Sequence, residues 1–534
     1  MKTKCNSYGN PNSEIVFVGD FPDRDAEMQS LPMAGRTGDL FDHFLSTAGI
    51  NREDCYITNV CNYHPYDNQF ASLKGTPQLS EGLDDLNKFF HSHFPTIIVP
   101  MGGEALNYFY GDDRVYKWRG SVLPYKNSLL IPIVHPYDAF ADGSLFPIID
   151  FDLRRVKRVL LNRYTPPVHK FIINPDHTDY HTLLKIVSTI PFISMDIETV
   201  RGTKHILCVG VAIDKNTAIC FKNPYPVGLG TEQNFASNIR SIIEASKSVT
   251  FHNGMFDVEV LRLNGIPVPE EKYDFDTMYA QRVIAPELPI GLDFCTSIYT
   301  DEPYYKDEGK ENSSSFKQSL WEYNCKDCIT TFQIREKQSE IFKNDPVLNN
   351  TFKFQMSMLP TAFHIQTSGM LVDDERCDSI KSIVEARSDN YKALLFFTNE
   401  APFLTSSPKQ VAEFLYKKLG LPTRTSRKSK GITTNEDAVV SLIQYCQKEL
   451  ETKSTQKGKD GWQLKLYALK LLLLIKGDEK LLSTYLNIKK SGDGRIRSFI
   501  KLSGTETGRW AAGLYVDGTG WNNMTAPRSS VEVL

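Results

Sequence analysis

Residues 192–200 read FISMDIETV, and this stretch decides the fold of the middle of the chain. Apolar residues at 192, 193, 195 and 197 surround two acids, Asp196 and Glu198. A strand turns successive side chains to opposite faces, so the two carboxylates share a face, and the apolar flanks put the strand in a sheet core. Neighbouring carboxylates repel and raise each other's pKa unless a divalent cation neutralises them. A pair of acids two apart is common on surface strands, so its companions carry the argument. Asn253, Phe256 and Asp257 lie in FHNGMFDVEVL (251–261), where a strand hands over to a helix. Tyr323 and Asp327 lie in LWEYNCKDCITT (320–331), four apart and therefore on one helix face.

Outward from this centre the pattern is α+β. Strand-like ILCVGVAI and TAICF follow the first stretch in antiparallel fashion, then a helix over 234–245, the strand SVTFHN and a further helix. Towards the N-terminus, short apolar runs (IVFVGD, CYITNV, TIIVPMG, LLIPIVHP) alternate with helix-like stretches such as 37–49. That alternation predicts an α/β layer domain with a mainly parallel sheet. The segment NRYTPPVHKFIINPD (162–176) has prolines and no periodicity, and reads as a linker. From about residue 350 the chain turns helical, with QLKLYALKLLLLIKGDEKLLSTYLNIKK (463–490) as a long amphipathic run broken at Gly477. The expected domains are 1–165, a linker and lead-in over 166–189, 190–345, and 346–534.

Composition sets the outer bounds. The 534 residues carry 61 Lys and Arg against 64 Asp and Glu, a formal charge of −3, with 41% hydrophobic and 11% aromatic content. Such a chain packs globular domains and is not largely disordered. No apolar run approaches the ~18 residues of a membrane span, and the N-terminus MKTKCNSYGNPNSE lacks an apolar signal region. Ten scattered cysteines fit reduced thiols and not a disulfide framework. Near-neutrality still permits nucleic-acid binding, because a basic groove can be offset by acids elsewhere. The run KKLGLPTRTSRKSK (417–430) concentrates six basic residues without an acid.

The order D-x-E, N-x-x-F-D, Y-x-x-x-D resembles the three motifs of the proofreading 3′–5′ exonucleases, in the tyrosine variant of the four-carboxylate family. The flanking FDTMYAQRV and GLDFCTSIY are similar to that family's segments between its second and third motifs. The resemblance covers about residues 190–340 and implies a ribonuclease-H-like fold. It implies that Asp196, Glu198, Asp257 and Asp327 hold two Mg²⁺ or Mn²⁺ ions ~4 Å apart, one activating water and the other stabilising the leaving 3′ oxygen. Asp196 would bridge both ions, Glu198 and Asp327 would complete the site of the water-activating ion, and Asp257 would help hold the second through water. Tyr323 would orient the attacking water, and Asn253 and Phe256 would meet the substrate strand. Cys325 and Cys328 form a lone C-x-x-C without a second pair, which argues against a zinc or redox site.

The third block resembles the start of a family A DNA polymerase. FQMSMLPTAFHIQTSGMLVD is similar to that family's first helix after its exonuclease domain, and LTSSPKQVAEFLYKKLGLP with GITTNEDAVVSLI to its thumb side. GDGRIRSFIKLSGTETGRWAA resembles the stretch where a Thr-Gly-Arg turn meets duplex backbone, and WNNMTAPR the loop after it. This implies that Arg509 and Thr507 contact DNA, with the 463–490 helix as part of a thumb and 417–430 as a further contact. The palm aspartates of that family are not found by Leu534, so the chain is expected to be the front portion of a longer polymerase and not to polymerise DNA alone.

Five pieces of the first block resemble the uracil-DNA glycosylase superfamily, nearest its iron–sulfur branch: VFVGDFPDRDAE, AGRTGDLFDHFL, CYITNVCNYHP, TIIVPMGGEAL and IPIVHPYDAF. That chemistry extrudes a uracil and stabilises the departing anion while water attacks C1′. By motif, Asp20 stands for the first-motif acid, Asn59 for the base-reading asparagine and His135 for the last-motif histidine. Asp23 replaces the family's glycine, and Met33 the stacking aromatic, forfeiting ~1–3 kcal/mol. Cys5 and Cys61 lack further partners, so an iron–sulfur cluster is not expected.

The combination resembles the replicative polymerases of large bacteriophages, especially those of Bacillus, acting on single-stranded 3′ ends and primer-template DNA in the cytoplasm of the infected host, away from membranes. The remainder of the polymerase or replisome proteins are the expected protein partners. Two alternatives stand beside it: a uracil-DNA glycosylase or repair enzyme with an attached nuclease, and a non-catalytic DNA-holding module for a separately encoded palm.

Overall fold

The computed structural model describes residues 3–223, 232–312, 318–399, 401–426, 431–505, 507–515 and 518–520. The segment WNNMTAPR and the end of the basic run, 427–430, lie outside the described residues. The chain divides into two compact units, Met1–Pro360 and Thr361–Leu534.

The first unit holds two sheets. The strands β1 (Ile15–Gly19), β2 (Cys55–Asn59), β3 (Ile97–Met101), β4 (Leu123–Tyr125) and β5 (Ser128–Leu130) run in the order β2-β1-β3-β5-β4. All pairs are parallel except β4 with β5. β1 is buried along its whole length, as a parallel strand covered by helices on both faces must be. Its Ile15 and Phe17 pack with Phe41, Leu45, Ile149 and Leu153, while Val16 and Val18 pack with Leu86, Phe90, Leu106 and Phe109. The register aligns Gly19 with Asn59 and Met101, so these residues share the carboxyl-end rim of the sheet.

The second sheet adds β6 (Lys170–Ile173), β7 (Ile193–Thr199), β8 (Ile206–Ala212), β9 (Thr217–Lys222), β10 (Val249–Phe251) and β11 (Phe275–Asp276), ordered β11-β10-β7-β8-β9-β6. β7, β8 and β9 form an antiparallel meander, and β6, β10 and β11 pair in parallel. Ile193, Met195 and Ile197 enter the core on one face. The helix Gln318–Asn344 covers the other, with Leu320, Trp321, Cys325, Cys328 and Ile329 against Leu207, Cys208 and Cys220. Close approach depends on Gly210: a Cβ there would lie 2.4 Å from Asn324 Oδ1 and 2.6 Å from Cys328 Sγ.

One expectation changes here. The proline-rich segment 162–176 is not wholly a linker, because Lys170–Ile173 pairs with β9. Phe171 and Ile173 pack on one side of the sheet and Ile172 on the other, which is strand alternation hidden by the flanking prolines. The following helix His177–Thr189 buries Leu183 and Val187 in the same core, so the lead-in belongs to the second sheet.

The second unit packs the helices Asp374–Asn399, Glu436–Thr452 and Gln456–Leu481 around Leu395, Leu442, Cys446, Leu469, Leu472 and Ile475. The last helix runs through Gly477 unbroken. Lys476 Nζ donates to Thr434 O at 2.6 Å, and Arg387 Nη2 to the buried Asp478 at 2.6 Å, pinning the turn on either side of the glycine. A hairpin of Ser498–Lys501 and Ala511–Leu514 follows. Among the described residues no helix is long and apolar enough to cross a membrane.

Candidate functional site

On β7 the strand period puts Asp196 and Glu198 on the side facing the helix Gln318–Asn344, one turn of which presents Tyr323 and Asp327. One oxygen from each of Asp196, Glu198 and Asp327 lies within 4.8 Å of the others. Asp257, near the start of the helix Met255–Leu263, stands outside that trio but touches the same strand, its Oδ1 accepting from Ile197 N at 3.3 Å. Burial first, and then the charges of Asp327, Asp257 and Glu198, hold the Asp196 carboxyl well above the usual range. Burial and Asp327 push Glu198 up to about 7, and burial pushes Asp257 up to about 8 against the pull of Ile197 N. Mutually repelling oxygen donors, half-buried at Asp196 and Glu198 and buried at Asp257 and Asp327, suit a hard divalent cation, which would relieve the cost of ionising them. The residues therefore fit Mg²⁺ or Mn²⁺.

Three neighbours escaped the sequence reading. Asn324 Nδ2 donates to Asp196 O at 3.2 Å and Oδ2 at 2.8 Å. Tyr305 OH donates to Asp327 Oδ1 at 2.6 Å. Lys306 Nζ reaches both Asp327 oxygens, at 2.6 and 2.7 Å, and Tyr323 OH at 3.1 Å. Asn324 could have been found as the residue beside Tyr323, whereas no spacing signal links Tyr305 and Lys306 to the site. Lys117, Arg201, Tyr304, Lys306 and Tyr323 line a groove of about 870 Å³.

Asn253 sits at the strand-to-helix junction with φ +62°. The buried Asp276 holds that junction, accepting from Asn253 N at 3.0 Å and Gly254 N at 2.8 Å. Phe256 packs against the second sheet's core.

The first sheet gathers a second set at its rim. A Cβ on Gly19 would lie 2.6 Å from Asn59 Oδ1 and 3.6 Å from His135 Nε2, so both side chains converge over that glycine. Asn59 Nδ2 is buried without a partner. His135 Nδ1 accepts from Tyr137 N at 3.2 Å, and burial pushes the imidazole down to about 4, so it is neutral. Asp20 is turned away into the helix Gly103–Tyr110, its Oδ1 accepting from Ala105 N at 2.7 Å. Burial pushes its carboxyl up to about 7. His64, missed in the sequence, is buried with Nδ1 2.9 Å from Pro22 O and Nε2 unpartnered.

Two substitutions against the glycosylase pattern have structural roles. Asp23 caps the helix Arg24–Gln29 through Ala26 N and accepts from Thr37 Oγ1 at 2.5 Å. Met33 is buried in the core with Phe17 and Phe41. Cys5 and Cys61 are buried, and each thiol donates to a backbone carbonyl.

In the second unit Thr507 and Arg509 are exposed in the hairpin loop, where Arg509 N donates to Thr505 Oγ1 at 2.9 Å. In the basic run, Lys417 pairs with Glu413 and Arg424 Nε donates to Ser441 Oγ at 3.1 Å.

Residues 6–147 match the family model "Uracil DNA glycosylase superfamily". A type-4 uracil-DNA glycosylase of Archaeoglobus fulgidus is 36% identical over 113 residues, 20% of this chain and 55% of that protein. One from Thermotoga maritima is 31% identical over 131 residues, 24% of this chain and 67% of that protein. DNA polymerase I of Bacillus subtilis is 23% identical over 191 residues, 35% of this chain. The chain thus spans about half of the Archaeoglobus glycosylase and 21% of the polymerase. A solved structure, the POL domain of Pol1 from M. smegmatis with DNA primer-template and dNTP, has a TM-score of 0.49 and 14% identity, covering 68% of this chain and 57% of that chain. Through residues 6–147, which carry the parallel sheet and its Gly19–Asn59–His135 rim, the chain belongs to the uracil-DNA glycosylase superfamily.

Proposed function

We propose that this protein is a family A DNA polymerase of a bacteriophage, acting in viral DNA replication, whose residues 190–345, with the lead-in strand and helix that join their sheet, form a ribonuclease-H-like 3′–5′ proofreading exonuclease. The observation that carries the reading is the convergence of Asp196, Glu198 and Asp327 within 4.8 Å, two from one strand face and one from the helix across it. Asp196, Glu198, Asp257 and Asp327 would hold Mg²⁺ or Mn²⁺, which supplies an activated water and charge stabilisation at the leaving 3′ oxygen. The chain's own residues set the geometry. Asn324 fixes the rotamer of Asp196, and Gly210 admits the helix that carries Tyr323 and Asp327. Tyr323 presents its hydroxyl beside Asp327, where it orients the attacking water. Asn253 and Phe256 meet the 3′ strand, and Thr507 and Arg509 meet duplex backbone. The test is degradation of a 3′-recessed, end-labelled primer with Mg²⁺. Stepwise loss of 3′ nucleotides by wild type, absent in Asp196→Ala/Glu198→Ala, supports the reading; equal behaviour of a folded pair overturns it.

A second reading has its own observation: the Asn59–His135 convergence over Gly19, with Asn59 Nδ2 unpartnered, suits recognition of a flipped base edge. Asp23 and Met33 weigh against uracil excision, since one adds a carboxylate beside the rim and the other removes a stacking face. A uracil-containing oligonucleotide that acquires alkali-labile sites with the metal chelated would establish this activity; an intact strand removes it.

A further inference from the structure

We infer that Lys306 is a built-in cation gate on the metal site, and that the glycosylase-like domain sets its position. The inference rests on the metal-site reading above and adds a regulation to it. Lys306 Nζ binds both oxygens of Asp327, and Tyr305 OH binds one of them, so three hydrogen bonds from a single dipeptide occupy one of the trio's carboxylates. The ammonium is held from above as well, 5.0 Å from the Tyr323 ring centroid and 5.3 Å from that of Tyr305. Its side chain is 18% exposed. A divalent ion on Asp327 needs the same lone pairs and is repelled by a unit positive charge at this range. Ion and ammonium therefore compete.

The dipeptide does not float. Tyr304 N donates to Ser121 Oγ at 3.0 Å, and its ring meets that of Trp118 edge-on at 5.3 Å. Asp307 pairs with Arg114 Nη1 at 2.9 Å and Lys117 Nζ at 3.5 Å. Arg155 Nη2 donates to Thr300 O at 2.7 Å, and Arg158 pairs with Asp301. Ser121, Trp118, Arg114, Lys117, Arg155 and Arg158 all belong to the first-sheet domain. Residues 300–307 thus form a strap, anchored on that domain and ending on Asp327. Displacing Lys306 with an ion must strain the strap, and loosening the strap must favour the ion. The coupling is reciprocal.

The test is Mn²⁺ binding to the full chain, followed by the electron paramagnetic resonance signal of free ion. Lys306→Met removes the charge at similar volume and should lower the half-saturating Mn²⁺ concentration at least five-fold. Arg114→Ala, which frees Asp307 of one anchor and leaves the groove-lining Lys117 in place, should lower it by a smaller factor. Lys306→Arg, which keeps the charge, should stay near wild type and serves as the folding control. Unchanged or weaker binding by Lys306→Met overturns the gate while leaving the metal site intact. Undiminished binding by Asp196→Ala/Glu198→Ala overturns the metal site, and the gate with it.

Discussion

The two sheets of the first unit each hold a half-buried carboxylate against a helix, and they compensate it differently. Asp20 is answered by the backbone, its oxygen on Ala105 N at the start of a helix, where the macrodipole also favours a negative charge. Asp196 is answered by a side chain, Asn324, and stands among the like charges of Asp327, Asp257 and Glu198. A carboxylate satisfied by main chain cannot change partners without unfolding its helix. One satisfied by side chains can. On the proposed reading, Asp20 serves the scaffold and Asp196 the chemistry.

The sharpest attempt to break this contrast is to delete each side. Asp196→Ala/Glu198→Ala should lower metal-dependent loss of 3′ nucleotides by about a thousand-fold, on the several kcal/mol that metal catalysis supplies. Asp20→Ala should leave the rate per folded molecule near wild type. Equal losses in the primer assay would erase the distinction. Next in size is Gly210→Ala, whose new methyl meets Asn324 and Cys328. Overpacking of this kind costs about 1–3 kcal/mol, read as a lower Tm. Because it moves Asn324 away from Asp196, the Mn²⁺ affinity should fall as well.

Proton linkage gives the finer tests. The folded Asp20 titrates at about 7, above the ordinary ~3.9. Below pH 4 both folded and unfolded chains hold this proton, and Asp20 adds no pH dependence. Between 4 and 7 only the folded chain holds it, so Asp20 costs stability progressively as pH rises, and the cost levels off above 7. The Tm advantage of Asp20→Asn over wild type should therefore grow from pH 4 to 7 and then stay flat. At the other sheet, Glu198 also titrates at about 7, and a proton there excludes the ion. Asp257 titrates at about 8, so the rise in Tm on adding Mg²⁺ should shrink as pH falls through 8 and then 7, in Asp20→Asn as in wild type. A Mg²⁺ effect that survives unchanged at pH 5.5 would place the ion elsewhere.

How far the sequence disclosed these arrangements follows from the range of each signal. Asp196 with Glu198, and Tyr323 with Asp327, were legible because strand and helix periods act over a few residues. The parallel sheet was legible in its uninterrupted apolar runs. Lys306 and Tyr305 were not, because a strap's course between two domains leaves no period in the residues it carries. Gly477 was misread as a break because glycine weakens a helix on average, whereas here Lys476 and Asp478 hold the turn from outside. The strand at 170–173 was hidden by Pro166, Pro167 and Pro175, which bound it on both sides without entering it.

That strand has a practical consequence for anyone who would isolate the second-sheet domain. β6 covers the outer edge of β9, pairing Phe171, Ile172 and Ile173 with Ala218, Ile219 and Cys220. A chain cut at residue 190 would bare that edge, a flat apolar row of unpaired amides and carbonyls of the sort that recruits other chains. Insolubility of such a fragment would then report a lost chaperoning strand and say nothing about the carboxylates; a cut before His169 keeps the edge covered.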